Sequence, residues 1–135
     1  MKYTAAVITV SDMGSRGLRQ DTSGPAVRAM LEKAGFSVAH TTILPDEMEQ
    51  ISAELRDCAD RRRIDLIVTT GGTGLSPRDV TPEATRAVLE REIPAIPVAM
   101  WTEITLGWLS FLAGANKNKG RFFVLHTTLS NFASD

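Results

Sequence analysis

The size and composition of this chain are those of one soluble globular domain, spanning residues 1–135, with 43% hydrophobic and 23% charged side chains. Its 15 basic and 16 acidic side chains nearly cancel, which argues against a basic nucleic-acid-binding surface. No apolar run approaches the ~20 residues of a membrane span, and Met1 leads into a strand pattern without a signal peptide. The single cysteine, Cys58, excludes an internal disulfide and a cysteine metal cluster. These features predict a cytoplasmic protein without a membrane partner.

The first part of the chain alternates strand and helix patterns. Residues 5–10 form a near-continuous apolar run, typical of a parallel strand covered on both faces. After a polar loop over 11–24, a helix is predicted from about Pro25 to the stop at Gly35. Its buried face is predicted to carry Val27, Met30, Leu31 and Ala34. Residues 36–44 are predicted as the second strand, ended by Pro45.

The pattern continues with a second helix opening at Asp46 or Glu47 and ending in the water-facing triplet Arg61-Arg62-Arg63. A third strand over 64–69 and a third helix over 82–91 follow. This order predicts an α/β fold, a three-layer sandwich with a mostly parallel sheet. Such sheets bind ligands beyond the carboxyl ends of their strands, so we expect the loops 11–24 and 70–80 to meet the corner at Asp46 there. Later, a helix over 101–113, a turn over 116–120 and a strand over 121–127 are predicted.

The loop over 69–82 has three glycines directly after a strand, where the absence of a Cβ lets a ligand approach the backbone. It matches neither the P-loop nor the dinucleotide-binding pattern. Thr81 is predicted as the N-cap of the third helix, and Pro82 as its first residue. The loop therefore predicts an anion-binding edge.

Three acids follow predicted strand ends: Asp12, Asp46 and Asp79. Carboxylates repel phosphate unless a hard cation lies between them, so their meeting at one edge predicts Mg²⁺-dependent chemistry on a nucleotide. Taken alone, Asp46 could equally be the cap of the second helix. By contrast, His40 and His126 are predicted to be packed or edge histidines, and Cys58 to be a core residue.

Five segments form a recognisable set: Val10-Ser11-Asp12, residues 21–25, Pro45-Asp46-Glu47, residues 69–74 and residues 78–82. Together they resemble the molybdenum cofactor biosynthesis family, the molybdopterin adenylyltransferases. The resemblance runs from about residue 3 to residue 100. It implies a molybdopterin-binding-domain fold, assembled as a homotrimer or higher homo-oligomer. It also implies transfer of AMP from Mg-ATP to the terminal phosphate of molybdopterin, with release of pyrophosphate.

The resemblance also implies roles for individual residues. Asp46 and Asp79 match the family's catalytic acids and are expected to bind Mg²⁺. The residues expected to bind the nucleotide and pterin phosphates are Gly71, Gly72, Thr73, Gly74 and Ser76, with Ser11 and Asp12 as the neighbouring wall.

Residues 101–135 depart from the family pattern, because the family's Pro-Gly substrate loop and closing helix are missing there. An alternative function is therefore a protein that binds molybdopterin or a nucleotide without turning it over. A third is a subunit whose apolar segment serves assembly, through Trp101, Trp108, Phe111 and Leu112.

Overall fold

The protein folds around a six-stranded sheet in the order β2-β1-β3-β6-β5-β4. The computed structural model describes residues 2–72 and 76–93, and the backbone of 113–115 and 123–127. The strands are β1 (Thr4–Val10), β2 (Ser37–Leu44), β3 (Leu66–Thr70), β4 (Arg91–Glu92), β5 (Ala113–Ala115) and β6 (Phe123–Thr127). The neighbours β2, β1, β3 and β6 are parallel, whereas β5 runs antiparallel to β6 and to β4. The predicted mostly parallel sheet is confirmed.

Helices cover both faces of this sheet and create the three predicted layers. They are α1 (Asp12–Ser15), α2 (Ser23–Lys33), α3 (Met48–Arg56) and α4 (Thr81–Arg86); a π-helical turn, Asp57–Arg61, continues α3. On one face, Val27 of α2 packs with Val7 and Val68. On the other, Ile51 and Leu55 of α3 join Ala6 and Ile8 in a larger apolar core. Because β1 contributes to both clusters, its apolar run is buried on both sides, as parallel central strands require.

Several local predictions differ from the structure. Met30 is 66% exposed and Ala34 is also exposed, so neither lies on the buried face of α2; Val27 and Leu31, one turn apart, supply the contact with the sheet. The third helix ends at Arg86 instead of residue 91, and Arg91 begins β4. The loop predicted over 11–24 contains the short helix α1. Of the helix predicted over 101–113, only the last residue is described, and Ala113 begins strand β5.

Other expectations are confirmed. Cys58 is fully buried in the core beside α3. The arginine triplet is exposed, and Arg61 and Arg62 pair with Asp57 one turn earlier. The strand predicted over 121–127 is β6. The turn predicted over 116–120, Thr73 and Gly74 of the glycine loop, and the side chain of His126 lie outside the described residues. No helix within the described ranges is long and apolar enough to span a membrane.

Candidate functional site

The carboxyl ends of β1, β2 and β3 meet at one edge of the sheet. Thr9 of β1 lies opposite Thr70 of β3, so the segments that leave these two strands start side by side. The N–H of Ser11, just after β1, donates to the carbonyl of Leu44 at 2.8 Å. The two predicted loops and the corner at Asp46 therefore start at one edge of the sheet. We call this region the acidic edge and define it by Asp12, Asp46, Gly71, Gly72 and Asp79.

Asp12 and Asp46 connect two of these loops by reciprocal hydrogen bonds. The Asp12 N–H donates to Asp46 Oδ2 at 3.1 Å, and the Asp46 N–H donates to Asp12 Oδ1 at 3.0 Å. The carboxylate of Asp46 is thus used to bridge two strand ends. The alternative that Asp46 caps the second helix is wrong, since the N-cap is Glu47 and it makes no side-chain capping bond.

Arg78 adds a cation to the acidic edge. Its guanidinium donates from Nε to Asp12 Oδ2 and from Nη2 to Asp12 Oδ1, both at 3.0 Å, and Nη2 also donates to Glu47 Oε1 at 3.0 Å. This forked pairing matches the planar geometry of guanidinium and carboxylate. The hydrogen bond from Arg78 lowers the pKa of Asp12, so this acid stays ionised.

Asp46 is in the opposite electrostatic situation. Burial raises the pKa of its carboxyl above the ordinary value; the hydrogen bond from the Asp12 N–H opposes this, and the charges of Asp12 and Asp79 reinforce it. Its second oxygen, Oδ1, is buried and has no hydrogen-bond partner in the described part of the chain. A buried carboxylate oxygen without a partner is costly, and a bound cation would satisfy it.

Gly71 and Gly72 both have backbone conformations that other residues rarely adopt, with φ of 95° and 62°. A Cβ on Gly71 would lie closer than 3.0 Å to the carbonyl oxygen of Val10. A Cβ on Gly72 would overlap Thr81 Oγ1 and lie 3.2 Å from Asp46 Oδ1. The glycines are needed here because the loop passes directly against β1 and against the Oδ1 atom of Asp46.

The turn that carries Asp79 is closed by its own hydrogen bonds. The Asp79 N–H donates to the carbonyl of Ser76 at 2.9 Å, and the Ser76 N–H donates to Asp79 Oδ2 at 3.1 Å. The preceding residue, Arg78, is bonded to Asp12, and Asp12 is bonded to Asp46, so both predicted catalytic acids lie at the same edge. There the charge of Asp79 contributes to the raised pKa of Asp46. Ser76 is exposed beside them.

Two predicted roles at this edge differ in detail. The hydroxyl of Ser11 accepts a hydrogen bond from the Gly14 N–H at 3.0 Å and caps α1. Ser11 therefore contributes to the edge by stabilising the start of α1. Thr81 is the first residue of α4 instead of its N-cap, and its fully buried hydroxyl has no hydrogen-bond partner among the described residues.

Arg78 and Thr81 were not predicted as functional residues. Both belong to the segment 78–82, one of the segments that carry the family resemblance. This resemblance was the one sequence feature that pointed to these two residues. Their importance follows from side-chain contacts: Arg78 joins two loops, and Thr81 lies under Gly72.

These features define an α/β domain in which glycines and acidic residues meet at the carboxyl edge of the sheet. The family described as a probable molybdopterin binding domain matches residues 6–106, and the chain belongs to this family.

Named relatives agree with this assignment. The molybdenum cofactor synthesis protein cinnamon of Drosophila melanogaster is 44% identical over 104 residues, which cover 74% of this chain and 17% of that protein. A molybdopterin adenylyltransferase of Haemophilus influenzae is 43% identical over 90 residues, covering 65% of this chain and 46% of that protein. The chain therefore matches less than half the length of these curated relatives.

A solved structure extends the similarity over most of the chain. The molybdopterin biosynthesis enzyme MoaB from Thermus thermophilus superposes with a TM-score of 0.82 at 42% identity. The superposition covers 95% of this chain and 82% of that protein. The fold predicted from the resemblance is thus confirmed.

Proposed function

We propose that this protein is a molybdopterin adenylyltransferase, which transfers AMP from Mg-ATP to the terminal phosphate of molybdopterin and releases pyrophosphate. The observation that carries the proposal is the buried Oδ1 of Asp46, which lies beside Gly72 and has no hydrogen-bond partner within residues 2–72 and 76–93. This oxygen can bind a cation, and the adjacent Gly71 and Gly72 carry no side chain that would keep a phosphate from their backbone. The proposed substrates follow from the name of the relative in Haemophilus influenzae, a molybdopterin adenylyltransferase.

Mg²⁺ fits the donor set of the acidic edge, because this cation prefers carboxylate oxygens together with substrate phosphates. Asp46 would bind it through Oδ1, and Asp79 would bind it from the facing turn. When bound, the cation neutralises phosphate charge and the charge of the two acids. Its binding would also remove the cost of burying the ionised Asp46, whose pKa is raised by that burial.

The remaining residues position the phosphates. Gly71 and Gly72 allow close approach of the backbone, and Thr73 and Gly74 continue the same loop. Ser76 is exposed, so its hydroxyl can donate to a phosphate, whereas its N–H is already bonded to Asp79. Phosphoryl-transfer enzymes act mainly by such positioning and by charge neutralisation.

Asp12 and Arg78 serve the site as positioning residues. Both oxygens of Asp12 are engaged by Arg78, so this acid is less suited than Asp46 to hold a cation. Their ion pair joins the loop after β1 to the loop after β3, and Ser11 supports it by capping α1.

In the reaction, a terminal phosphate oxygen of molybdopterin attacks the α-phosphorus of ATP. The bond between that phosphorus and the oxygen that bridges to the β-phosphate breaks, and pyrophosphate leaves. The acidic edge would hold the two phosphates in line, which is the main requirement for such a displacement.

The roles of the two acids are tested by pyrophosphate release in the presence of molybdopterin. Asp46→Asn and Asp79→Asn should each lower the rate by at least about 100-fold. Mutating a residue that only hydrogen-bonds to a metal ligand already lowers activity by about 10–100-fold, and a direct ligand should cost more. Asp60→Asn, which alters an exposed acid outside this edge, is the control. Rates within about twofold of wild type for both acidic-edge variants would contradict the assignment.

The same samples distinguish turnover from binding without turnover. Calorimetric binding of molybdopterin without any pyrophosphate release would favour the non-catalytic alternative. We further propose a cytoplasmic homo-oligomer, with a trimer as the expected form. Sedimentation velocity tests the assembly, and a monomer at micromolar concentration would contradict it.

A further inference from the structure

A second group of metal-ligating side chains lies away from the acidic edge. His40 on β2, Glu54 on α3 and Cys58 in the π-helical turn each offer one ligand atom, and these atoms lie within 4.8 Å of one another. His40 Nε2 is 2.6 Å from Glu54 Oε1, and Cys58 Sγ is 3.8 Å from the same oxygen. We call these three residues the His-Glu-Cys cluster.

A β-bulge brings His40 into this cluster. Val38 lies opposite Ala5, whereas His40 lies opposite Ala6, so Ala39 is an extra residue in β2. With regular pairing His40 would lie opposite Val7 and face the α2 side of the sheet, because alternate residues face opposite sides. The bulge instead turns His40 toward the α3 side, where Ala6 contacts the larger core. Bulges often re-aim a side chain in this way.

A second irregularity lies on the helical side of the cluster. Glu54 and Cys58 are four residues apart, which puts them on one face of the helix. At Asp57 the α-helix widens into the π-helical turn, and the Arg62 N–H donates to the Asp57 carbonyl at 3.0 Å. Such turns are rare and frequently lie at functional sites. Two independent departures from regular structure thus meet at the same three side chains.

We propose that the His-Glu-Cys cluster binds a Zn²⁺ ion through His40 Nε2, a Glu54 carboxylate oxygen and the Cys58 thiolate, with a fourth position left for water or another ligand. Imidazole and thiolate select zinc and similar soft or borderline metals, whereas Mg²⁺ prefers oxygen. Three protein ligands with an open fourth position are the arrangement of zinc sites that exchange a ligand.

The observed distances are compatible with a tetrahedral site. Zinc bonds of about 2.0–2.3 Å separate neighbouring ligand atoms by about 3.3–3.8 Å. The distance of 3.8 Å from Cys58 Sγ to Glu54 Oε1 already fits, and the 2.6 Å between His40 and Glu54 must lengthen by less than about 1 Å. The side chains of His40 and Glu54 are 18% and 22% exposed, so a metal ion has access from solvent.

The cluster is separate from the acidic edge. His40 lies four residues before Leu44, the end of β2, which corresponds to about 13 Å along the strand. Without metal, His40 and Cys58 are hydrogen-bonded to Glu54, which also stabilises the packing. Metal binding would replace these protons and release them to solvent.

The test is titration of the purified full chain with Zn²⁺ and Co²⁺, each as the metal alone. We expect stoichiometric Zn²⁺ binding by calorimetry, undisturbed by excess Mg²⁺. We also expect a thiolate-to-cobalt charge-transfer band in the absorption spectrum. Since Cys58 is the only cysteine of the chain, this band has one possible source.

Variants assign the ligands. Cys58→Ser should abolish the charge-transfer band. His40→Gln should weaken Zn²⁺ binding by more than about 100-fold, because losing a direct ligand costs more affinity than losing a residue that only hydrogen-bonds to a ligand. Glu49→Gln, an exposed acid on the same helix, and Asp46→Asn at the acidic edge should leave Zn²⁺ affinity unchanged.

A wild-type cobalt complex without the charge-transfer band would overturn the proposal, and this needs no variant to fold. Unchanged Zn²⁺ affinity in folded Cys58→Ser and His40→Gln proteins would overturn it as well. Because the readouts are metal affinity and a spectrum, failure of the adenylyl-transfer proposal would leave this one intact.

Discussion

Replacing Gly71 with alanine is expected to damage both the fold and the acidic edge, because this residue leaves no room for a Cβ. Its φ is 95°, and the added Cβ would lie closer than 3.0 Å to the carbonyl oxygen of Val10. That oxygen belongs to the backbone of β1 and cannot rotate away. The loop must therefore shift by about 1 Å to restore a normal contact.

Gly35 provides the matched control for the magnitude. Its φ is 98°, nearly the same as that of Gly71, but a Cβ on Gly35 would meet no atom within 4 Å in the described structure. Gly35→Ala should cost about 1–2 kcal/mol for the left-handed backbone. Gly71→Ala adds an overpacking cost of about 1–3 kcal/mol. The difference between the variants isolates the clash, since strain and the effect on the unfolded chain cancel.

Urea denaturation measures this difference. With an m-value of about 2 kcal/mol/M, the midpoint of Gly71→Ala should lie roughly 0.5–1.5 M below that of Gly35→Ala. A shift of about 1 Å at a reacting centre also lowers turnover by about 100-fold, which should be seen for Gly71→Ala and not for Gly35→Ala. Equal midpoints and equal pyrophosphate release for the two variants would refute the reasoning.

Three further predictions concern the same edge. Thr81→Val should raise the free energy of unfolding by about 1 kcal/mol, because it removes a buried hydroxyl without a partner in the described chain. Thr85→Val, the control on the same helix, should lower the free energy of unfolding by about 1 kcal/mol, since the Thr85 hydroxyl donates to the Thr81 carbonyl at 2.7 Å. Chemical denaturation that finds Thr85→Val more stable than Thr81→Val would contradict this. Arg78→Gln should slow pyrophosphate release at least about 10-fold, because Asp12 loses the ion pair that holds it. The free energy of unfolding should change by less than about 1 kcal/mol, since the ion pair is exposed. An unchanged rate would argue against positioning by Arg78. Chelation with EDTA should stop pyrophosphate release and added Mg²⁺ should restore it, so release that persists in EDTA would contradict the cation's role.

The layers of the fold were predictable because burial leaves a simple pattern. The apolar run in β1 is typical of a strand covered on both faces, and β1 does contribute to the cores on both sides of the sheet. Helix boundaries were less predictable. Thr81 followed by Pro82 is typical of an N-cap and first helical position, yet Thr81 lies inside α4, with its hydroxyl buried under Gly72.

The meeting of Asp12, Asp46 and Asp79 was predictable from topology, since each follows a parallel strand at the same edge. Their different environments were not. Whether Asp46 caps a helix or bridges to Asp12 depends on side-chain geometry that spacing does not determine. The same limit applies to His40, whose orientation depends on one extra residue, Ala39, in β2.

The central claim is that the acidic edge transfers AMP to molybdopterin. Its most direct test is to incubate the wild-type chain with Mg-ATP, with and without molybdopterin, and to measure pyrophosphate together with the mass of the pterin product. We predict pyrophosphate release that depends on molybdopterin and matches the amount of adenylylated molybdopterin formed. Release of pyrophosphate without molybdopterin, or a molybdopterin whose mass does not change, would contradict the claim.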